Sequence, residues 1–407
     1  MKIKKIEIHD FRSLSNVVID NLDPHLNLLM GVNGAGKSSV LDAIALLLQP
    51  FTSRLTKKSG FGTTIKVSDI KKRSRRGCTL EITLLDENHT HWSKHKTKSM
   101  ENEEKSDYSM LIDYTKPMRI SLDNYEKINI PVIAHYGVNR AVTGMMLPPR
   151  SKSYVKDEEG QPTDAYANWW NQGAIYRDFL PWFKEEEAAE NRIRIESPEY
   201  RDRGLEAIRD AMRIVFPEYT DMRMISANEL ALKKDDEELL LSQLSDGEKC
   251  YIVLLCDIVR RLTIANPTGD ILKGEGIVLI DEVDLHLHPS WEATVMEKLN
   301  HIFENIQFIV SAHSPLVASH FDGQVYGVRN GEVTALPRLF GLDYSTILQD
   351  WMGTRPENRE ISSLMDMYRA YTKHNMPQQA QAVWDRLLEL MHNDLDAPVF
   401  KKLNKEK

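Results

Sequence analysis

The segment Gly31-Val32-Asn33-Gly34-Ala35-Gly36-Lys37-Ser38 constrains the fold more than any other stretch of this 407-residue chain. It fits the pattern G-x-x-x-x-G-K-[ST], and its flanks supply the setting that the pattern needs. Leu26–Met30 is a short apolar run, read as a strand. From Lys37 to Gln49 the apolar residues Val40, Leu41, Ile44, Ala45 and Leu48 recur at helical spacing. Strand, glycine-rich turn and helix together make a cradle for a triphosphate. The glycines let backbone N–H groups curl around the anion, and the start of the helix adds a partial positive charge. Lys37 is expected on the β- and γ-phosphates and Ser38 on Mg²⁺, with Gly34, Ala35, Gly36 and Ser39 completing the nucleotide-binding surface.

Three more segments carry chemistry. Gly276–Ile280 is an apolar strand that delivers Asp281 and Glu282 at its end. Asp281 is placed to hold Mg²⁺ through water and Glu282 to polarise an attacking water. Leu244-Ser245-Asp246-Gly247-Glu248-Lys249 lies 36 residues before Asp281, counted from Ser245. Taken alone, Ser245 could be an ordinary helix N-cap. Val310-Ser311-Ala312-His313-Ser314-Pro315 ends the next strand.

In order and spacing the set resembles the ABC-type ATPases. The resemblance makes Ser245, Gly247 and Glu248 the signature segment, which binds the γ-phosphate of a nucleotide held by the opposite subunit. It makes His313 the switch histidine, a catalytic partner of Glu282. Ile8-His9-Asp10-Phe11-Arg12-Ser13-Leu14 and Asp281-Glu282-Val283-Asp284-Leu285-His286-Leu287-His288-Pro289 narrow it to the RecF/OLD/structural-maintenance branch. Within that branch they are similar to the compact PtuA-like ATPases of the Septu and retron anti-phage systems. The resemblance further implies that Arg12 lies near the nucleotide, that Asn33 reaches the γ-phosphate, and that Leu285–His288 forms the loop crossing a dimer interface. It covers Lys2 to about Gly331 firmly and the remainder loosely. No Q-loop glutamine is evident; Tyr136-Gly137-Val138-Asn139-Arg140 stands at its place, with Arg140 a phosphate-facing or a plain surface residue.

The expected fold is an α/β P-loop ABC-ATPase head, a mixed sheet flanked by helices, with an inserted helical lobe and a helical C-terminal tail. Its parts are residues 1–144 and 239–338 for the head, 145–238 for the lobe and 339–407 for the tail. No heptad pattern runs through the insert, so long coiled-coil arms are excluded. With 42% hydrophobic and 28% charged residues the chain has ample material for a core. No apolar stretch is long enough to span a bilayer, and the start MKIKKIEIHDF alternates like a strand rather than an export signal, so a cytoplasmic location is expected. The three cysteines form no CxxC pair and are expected to be buried thiols. His286 and His288 beside Asp284 could ligate a metal, but the interface-loop role accounts for them without one. His89, His91 and His95 read as a polar hairpin.

The net charge of −8 argues against indiscriminate coating of nucleic acid. Even so, Arg54–Arg76 holds nine Lys/Arg against one acid, Asp69. Two functions therefore stand. In the first, an ATPase closes head to head with a second copy around ATP and regulates a separate effector, an HNH-type nuclease, since this chain carries no acidic nuclease cluster. In the second, the chain is a RecF-like repair factor that contacts DNA through Arg54–Arg76. The N-terminal Phe-Arg-Ser-Leu and the HLHP loop set aside a transporter subunit and any membrane partner.

Overall fold

The computed structural model describes residues 1–57, 60–75, 77–98, 105–140, 160–170, 175–226, 229–353, 358–392, 394, 399–400 and 403. The chain runs β1 (Ile3–His9), β2 (Asn16–Ile19), β3 (Leu26–Met30), α1 (Lys37–Thr56), β4 (Gly77–Leu84), β5 (His91–Thr97), α2 (Ser109–Asp123) and β6 (Val132–Tyr136). It continues with α3 (Ile175–Glu196), α4 (Arg203–Val215), β7 (Tyr219–Met224), β8 (Leu230–Lys234), β9 (Glu237–Leu240) and α5 (Asp246–Ala265). β10 (Gly276–Ile280), α6 (Pro289–Glu292), α7 (Val295–Ile302), β11 (Ile306–Ala312), α8 (Pro315–Ser319), β12 (Gln324–Arg329) and β13 (Glu332–Ala335) follow.

β3, β6, β10 and β11 are buried at every position, the pattern of strands covered on both faces. They lie in a six-stranded sheet of order β13-β12-β3-β11-β10-β6, parallel except for β13. A second, antiparallel sheet has the order β2-β1-β4-β5. Its strands alternate buried and less buried residues, as strands covered on one face do. Two polar side chains join the layers. Gln307 of β11 accepts from the Ile3 N–H (2.6 Å) and donates to the Ile3 carbonyl (2.9 Å), and the Trp92 indole donates to the Leu47 carbonyl of α1 (2.6 Å). α1 fills the space beneath, with Val40, Leu41, Ala43, Ile44, Ala45, Leu47 and Leu48 fully buried. Each of its large aliphatic side chains contributes about 1.5–3 kcal/mol of transfer free energy.

α5 is the other long buried helix. Its Asp257 is buried between Arg260 (2.6 Å) and Arg261 (2.7 Å) and accepts from the Tyr136 hydroxyl of β6 (2.8 Å). Burial alone would raise the Asp257 carboxyl, but the two guanidiniums more than offset it and hold the group at about 2. Arg261 also donates to the carbonyls of Ala165 and Ala167. One ion cluster therefore ties α5 to β6 and to the turn at Pro162–Tyr166.

The insert departs from a purely helical lobe. α3 and α4 are helices, but Tyr219–Leu240, of which the residues to Glu238 were expected to share that character, forms an antiparallel sheet β7-β8-β9. α2 has no counterpart in the sequence expectations either; it accommodates Pro117 in its middle. Residues 141–159, where the lobe was expected to begin, lie outside the described residues. Cys78, Cys250 and Cys256 are buried.

Asp343–Lys407 is a second compact unit, beginning after Leu342 rather than at 339. It comprises a turn of helix α9 (Tyr344–Thr346), α10 (Arg359–Lys373) and α11 (Pro377–Leu390), with a core of Met365, Val383, Leu387, Phe400 and Leu403. Among the described residues no helix is long and apolar enough to cross a membrane.

Candidate functional site

The C-terminal ends of β3, β10 and β11 lie side by side, and each releases a segment that carries polar chemistry. After β3, the loop Gly31–Gly36 turns into α1 through left-handed backbone at Gly34 (φ 76°) and Gly36 (φ 114°). Around Gly34 there is open space, whereas a Cβ on Gly31 would sit 2.3 Å from the Val328 carbonyl oxygen. So glycine is needed at 31 for close approach and at 34 and 36 for backbone conformation. Gly36 caps α1 without a side-chain hydrogen bond, and no acid stands in the first turn. The N–H groups at the start of a 20-residue helix are thus left for an anion.

Lys37 turns back under this loop. Its Nζ donates to the carbonyls of Gly31 (2.7 Å) and Val32 (3.2 Å) and to His313 Nδ1 (3.3 Å). Burial lowers the Lys37 ammonium pKa, and the charges of Asp281, Glu282 and Asp284 pull it back. With Nδ1 accepting from Lys37, the His313 ring carries its proton on Nε2, which lies 3.2 Å from Glu282 Oε1. The chain Lys37–His313–Glu282 is continuous. Glu282 adopts φ 48°, a left-handed backbone unusual for a residue with a side chain. Its N–H is held by Ser311 Oγ (2.8 Å), whose hydroxyl donates to Asp281 Oδ1 (2.5 Å). One serine of β11 therefore orients both acids of β10. Asp284 accepts from the N–H groups of His313 (2.9 Å) and Ser314 (2.7 Å). It pins the loop after β10 to the loop after β11.

Asp281 Oδ1 and the Ser38 hydroxyl offer hard oxygen donors, the chemistry that suits Mg²⁺. Among the described residues no three His, Cys, Asp or Glu side chains converge on a metal. A Mg²⁺ ion here would therefore be completed by phosphate and water oxygens. Asp284 accepts from the loop after β11, and His288 Nδ1 caps α6 at Ser290.

The chain belongs to the RecF/RecN/SMC N-terminal domain family. That family's description matches residues 2–334, most of the chain. Among curated proteins the chain is 28% identical to "Retron Vc95 probable ATPase" of Vibrio cholerae, over 78% of this chain and 71% of that protein. It is 27% identical to "Septu protein PtuA" of Bacillus mycoides, over 93% of this chain and 48% of that protein. Among solved structures, an SMC head bound to the C-terminal winged-helix domain of ScpA superposes with a TM-score of 0.51 at 16% identity, over 83% of this chain and 98% of that one. At that identity the likeness concerns the fold alone.

Asn33, Gly34 and Ser38 are exposed on the cradle, Ser39 is partly buried and Ala35 is buried. Arg12, in left-handed backbone (φ 50°), directs its guanidinium to Asp42 of α1 (2.5 Å) and Asp69 (3.0 Å). It braces the first helix from the side, with no hydrogen bond to the loop 31–38 among the described residues. Ser245 is exposed at the start of α5, and among the described residues its side chain bonds only to Glu248. Gly247 is required by its neighbour: a Cβ there would lie 2.1 Å from the His286 carbonyl oxygen. Glu248 binds protein rather than solvent, accepting from Ser245 and from Tyr219. The Arg140 side chain lies outside the described residues.

Sequence reasoning missed Ser311, Asp42 and His135. His135 of β6 is buried 4.0 Å from Asp42, with an unpartnered Nδ1 and a pKa lowered by burial. Ser311 had a visible signal: it is a lone hydroxyl inside an apolar strand. His135 had a comparable one, an imidazole inside the apolar strand β6.

Proposed function

We propose that this protein binds ATP with Mg²⁺ and hydrolyses it between two heads that close face to face. One head supplies Lys37, Ser38, Asp281, Glu282 and His313, and the other supplies Ser245 and the N-terminus of its α5. The observation that carries the reading is the hydrogen-bonded line Lys37–His313–Glu282 beside an uncapped, glycine-turned helix start. Lys37 and the α1 amides would hold the triphosphate. Glu282 would accept a proton from the attacking water, and His313, pinned through Asp284, would fix its orientation. Bound Mg²⁺, held by Ser38 and Asp281, supplies charge neutralisation at the phosphates. The names of the relatives, one a retron probable ATPase and one a Septu protein, support ATP hydrolysis in anti-phage defence. In that setting the chain regulates a separate effector, an HNH-type nuclease. The test is Glu282→Gln: ATP binding should persist while turnover is lost, and normal turnover would overturn the assignment of the base.

A second use of the same head has its own support. Lys57, Lys66, Lys72, Arg73 and Arg75 are exposed, while Arg54 and Lys71 are engaged internally, Lys71 on the Ser13 carbonyl and Arg54 over the Phe61 ring. Lys58 and Arg76 lie outside the described residues. An exposed basic loop fits contact with DNA phosphates, which weakens steeply with salt. Binding that persists unchanged after neutralising Lys72, Arg73 and Arg75 would remove this reading.

A further inference from the structure

The signature serine is held by a residue that is itself held from outside the helix. Glu248 uses its two carboxylate oxygens differently. Oε2 accepts from the Ser245 N–H (2.9 Å) and hydroxyl (2.7 Å), the reciprocal arrangement of a capping box. Oε1 accepts from the Tyr219 hydroxyl (2.6 Å) and lies 3.5 Å from Lys234 Nζ. Tyr219 opens β7 and Lys234 closes β8, and the two are cross-strand partners. Lys234 lies 4.9 Å above the Tyr219 ring and 3.2 Å from its hydroxyl. Tyr219 is backed by Phe216, which packs on Tyr251 of α5. The small sheet thus grips the start of the helix through one carboxylate.

That carboxylate poses an electrostatic problem. An acid in the first turn stabilises a helix, but it repels a phosphate brought to the same end. Asp246, also in that turn, is exposed and pairs with Lys249 (3.4 Å), so Glu248 is the acid adjoining the serine hydroxyl. We propose that Tyr219 and Lys234 are positioning residues for the signature serine: they hold Glu248 back on Oε1 and neutralise it, so that Ser245 can turn its hydroxyl to a phosphate arriving from a second head. The sheet β7-β8-β9 would in this way set whether a head can be recruited by its partner. The inference rests on the reading that Ser245 acts across a dimer.

The experiment is done in the Glu282→Gln background, where bound ATP is retained. The ATP concentration that half-converts monomer to dimer is measured by analytical ultracentrifugation, and nucleotide affinity of the monomer is measured separately with a fluorescent ATP analogue. Ser245→Ala tests the underlying reading, and dimerisation unaffected by it overturns that reading and the inference together. Given loss with Ser245→Ala, Lys234→Met and Tyr219→Phe should each raise the dimerisation midpoint roughly tenfold, the scale of one charge-assisted hydrogen bond. Monomer affinity should not change. Adding Glu248→Gln to Lys234→Met should restore the midpoint, because the uncompensated charge is gone; a merely structural lysine would not be rescued in this way. Unchanged midpoints in both single variants, or no rescue by Glu248→Gln, would overturn the role.

Discussion

Two helices of 20 residues each present an N-terminus for phosphate chemistry, and the two ends are built in opposite ways. α1 begins at a glycine in left-handed backbone, with no capping side chain and no acid in its first turn. α5 begins at Ser245 with a complete capping box and two acids, Asp246 and Glu248, in its first turn. The first end leaves its amides and partial charge for a ligand. At the second, the Ser245 hydroxyl already accepts from the Glu248 N–H. A helix start alone therefore does not define an anion site; what distinguishes the two is a capping side chain and acids in the first turn, present at α5 and absent at α1. This contrast matches the proposed division of labour, in which α1 binds nucleotide within one chain and α5 engages only when another head arrives.

The contrast can be tested from its foundations outward. Asp257→Ala would strand two guanidiniums inside α5, at a cost of about 3–5 kcal/mol. It should show as a large fall in thermal midpoint, whereas a small one would mean that the cluster is not what fixes the closed helix. The wild-type cluster also has a pH signature. Its folded carboxyl at about 2 lies below the ordinary value, so the stabilisation is present above pH about 4 and is lost as pH falls toward 2. Lys37→Ala should next weaken ATP binding by about a hundredfold, measured by isothermal titration, with little change in folding. An open helix that binds normally without its lysine would make the amides sufficient alone. Ser245→Ala should reduce stability by about 1 kcal/mol through the lost cap, with single-head ATP affinity unaltered. The smallest effect is expected at the open end. Ser39→Asp adds an acid to the first turn of α1 and should stabilise the nucleotide-free protein by about 0.3–1 kcal/mol while weakening ATP binding. Stabilisation of both together would dissolve the distinction.

Much of the candidate site's placement was legible because its signals are local. Gly31–Ser38, Asp281–Glu282 and His313 each follow an apolar run, and the runs became β3, β10 and β11. What escaped was set by distance along the chain or by weak pattern. Ser311 acts on residues about 30 positions away, and Gln307 reaches Ile3 across 304. Neither partner is implied by its neighbours. β7-β8-β9 was hidden for another reason: β8 and β9 are short and rich in Lys, Glu and Leu, which suit helices at least as well, and β7, Tyr-Thr-Asp-Met-Arg-Met, is short and mostly polar. The same blindness concealed Tyr219 and Lys234, and with them the surroundings of Glu248. For Arg12 the family resemblance implied a place near the nucleotide, whereas the bracing of α1 through Asp42 and Asp69 needed the fold.

The tight approach at Gly247 has a consequence for how two such heads would keep time. The His286 carbonyl occupies the space a methyl group would need, and the loop behind it carries Asp284, which grips the amides of His313 and Ser314. A shift in the switch loop therefore has little slack to cross before it nudges the serine-bearing helix of the same chain. In the proposed pair of heads that helix would serve the neighbour's ATP, so the two hydrolysis events would run geared together, their meshing point a single atom wide.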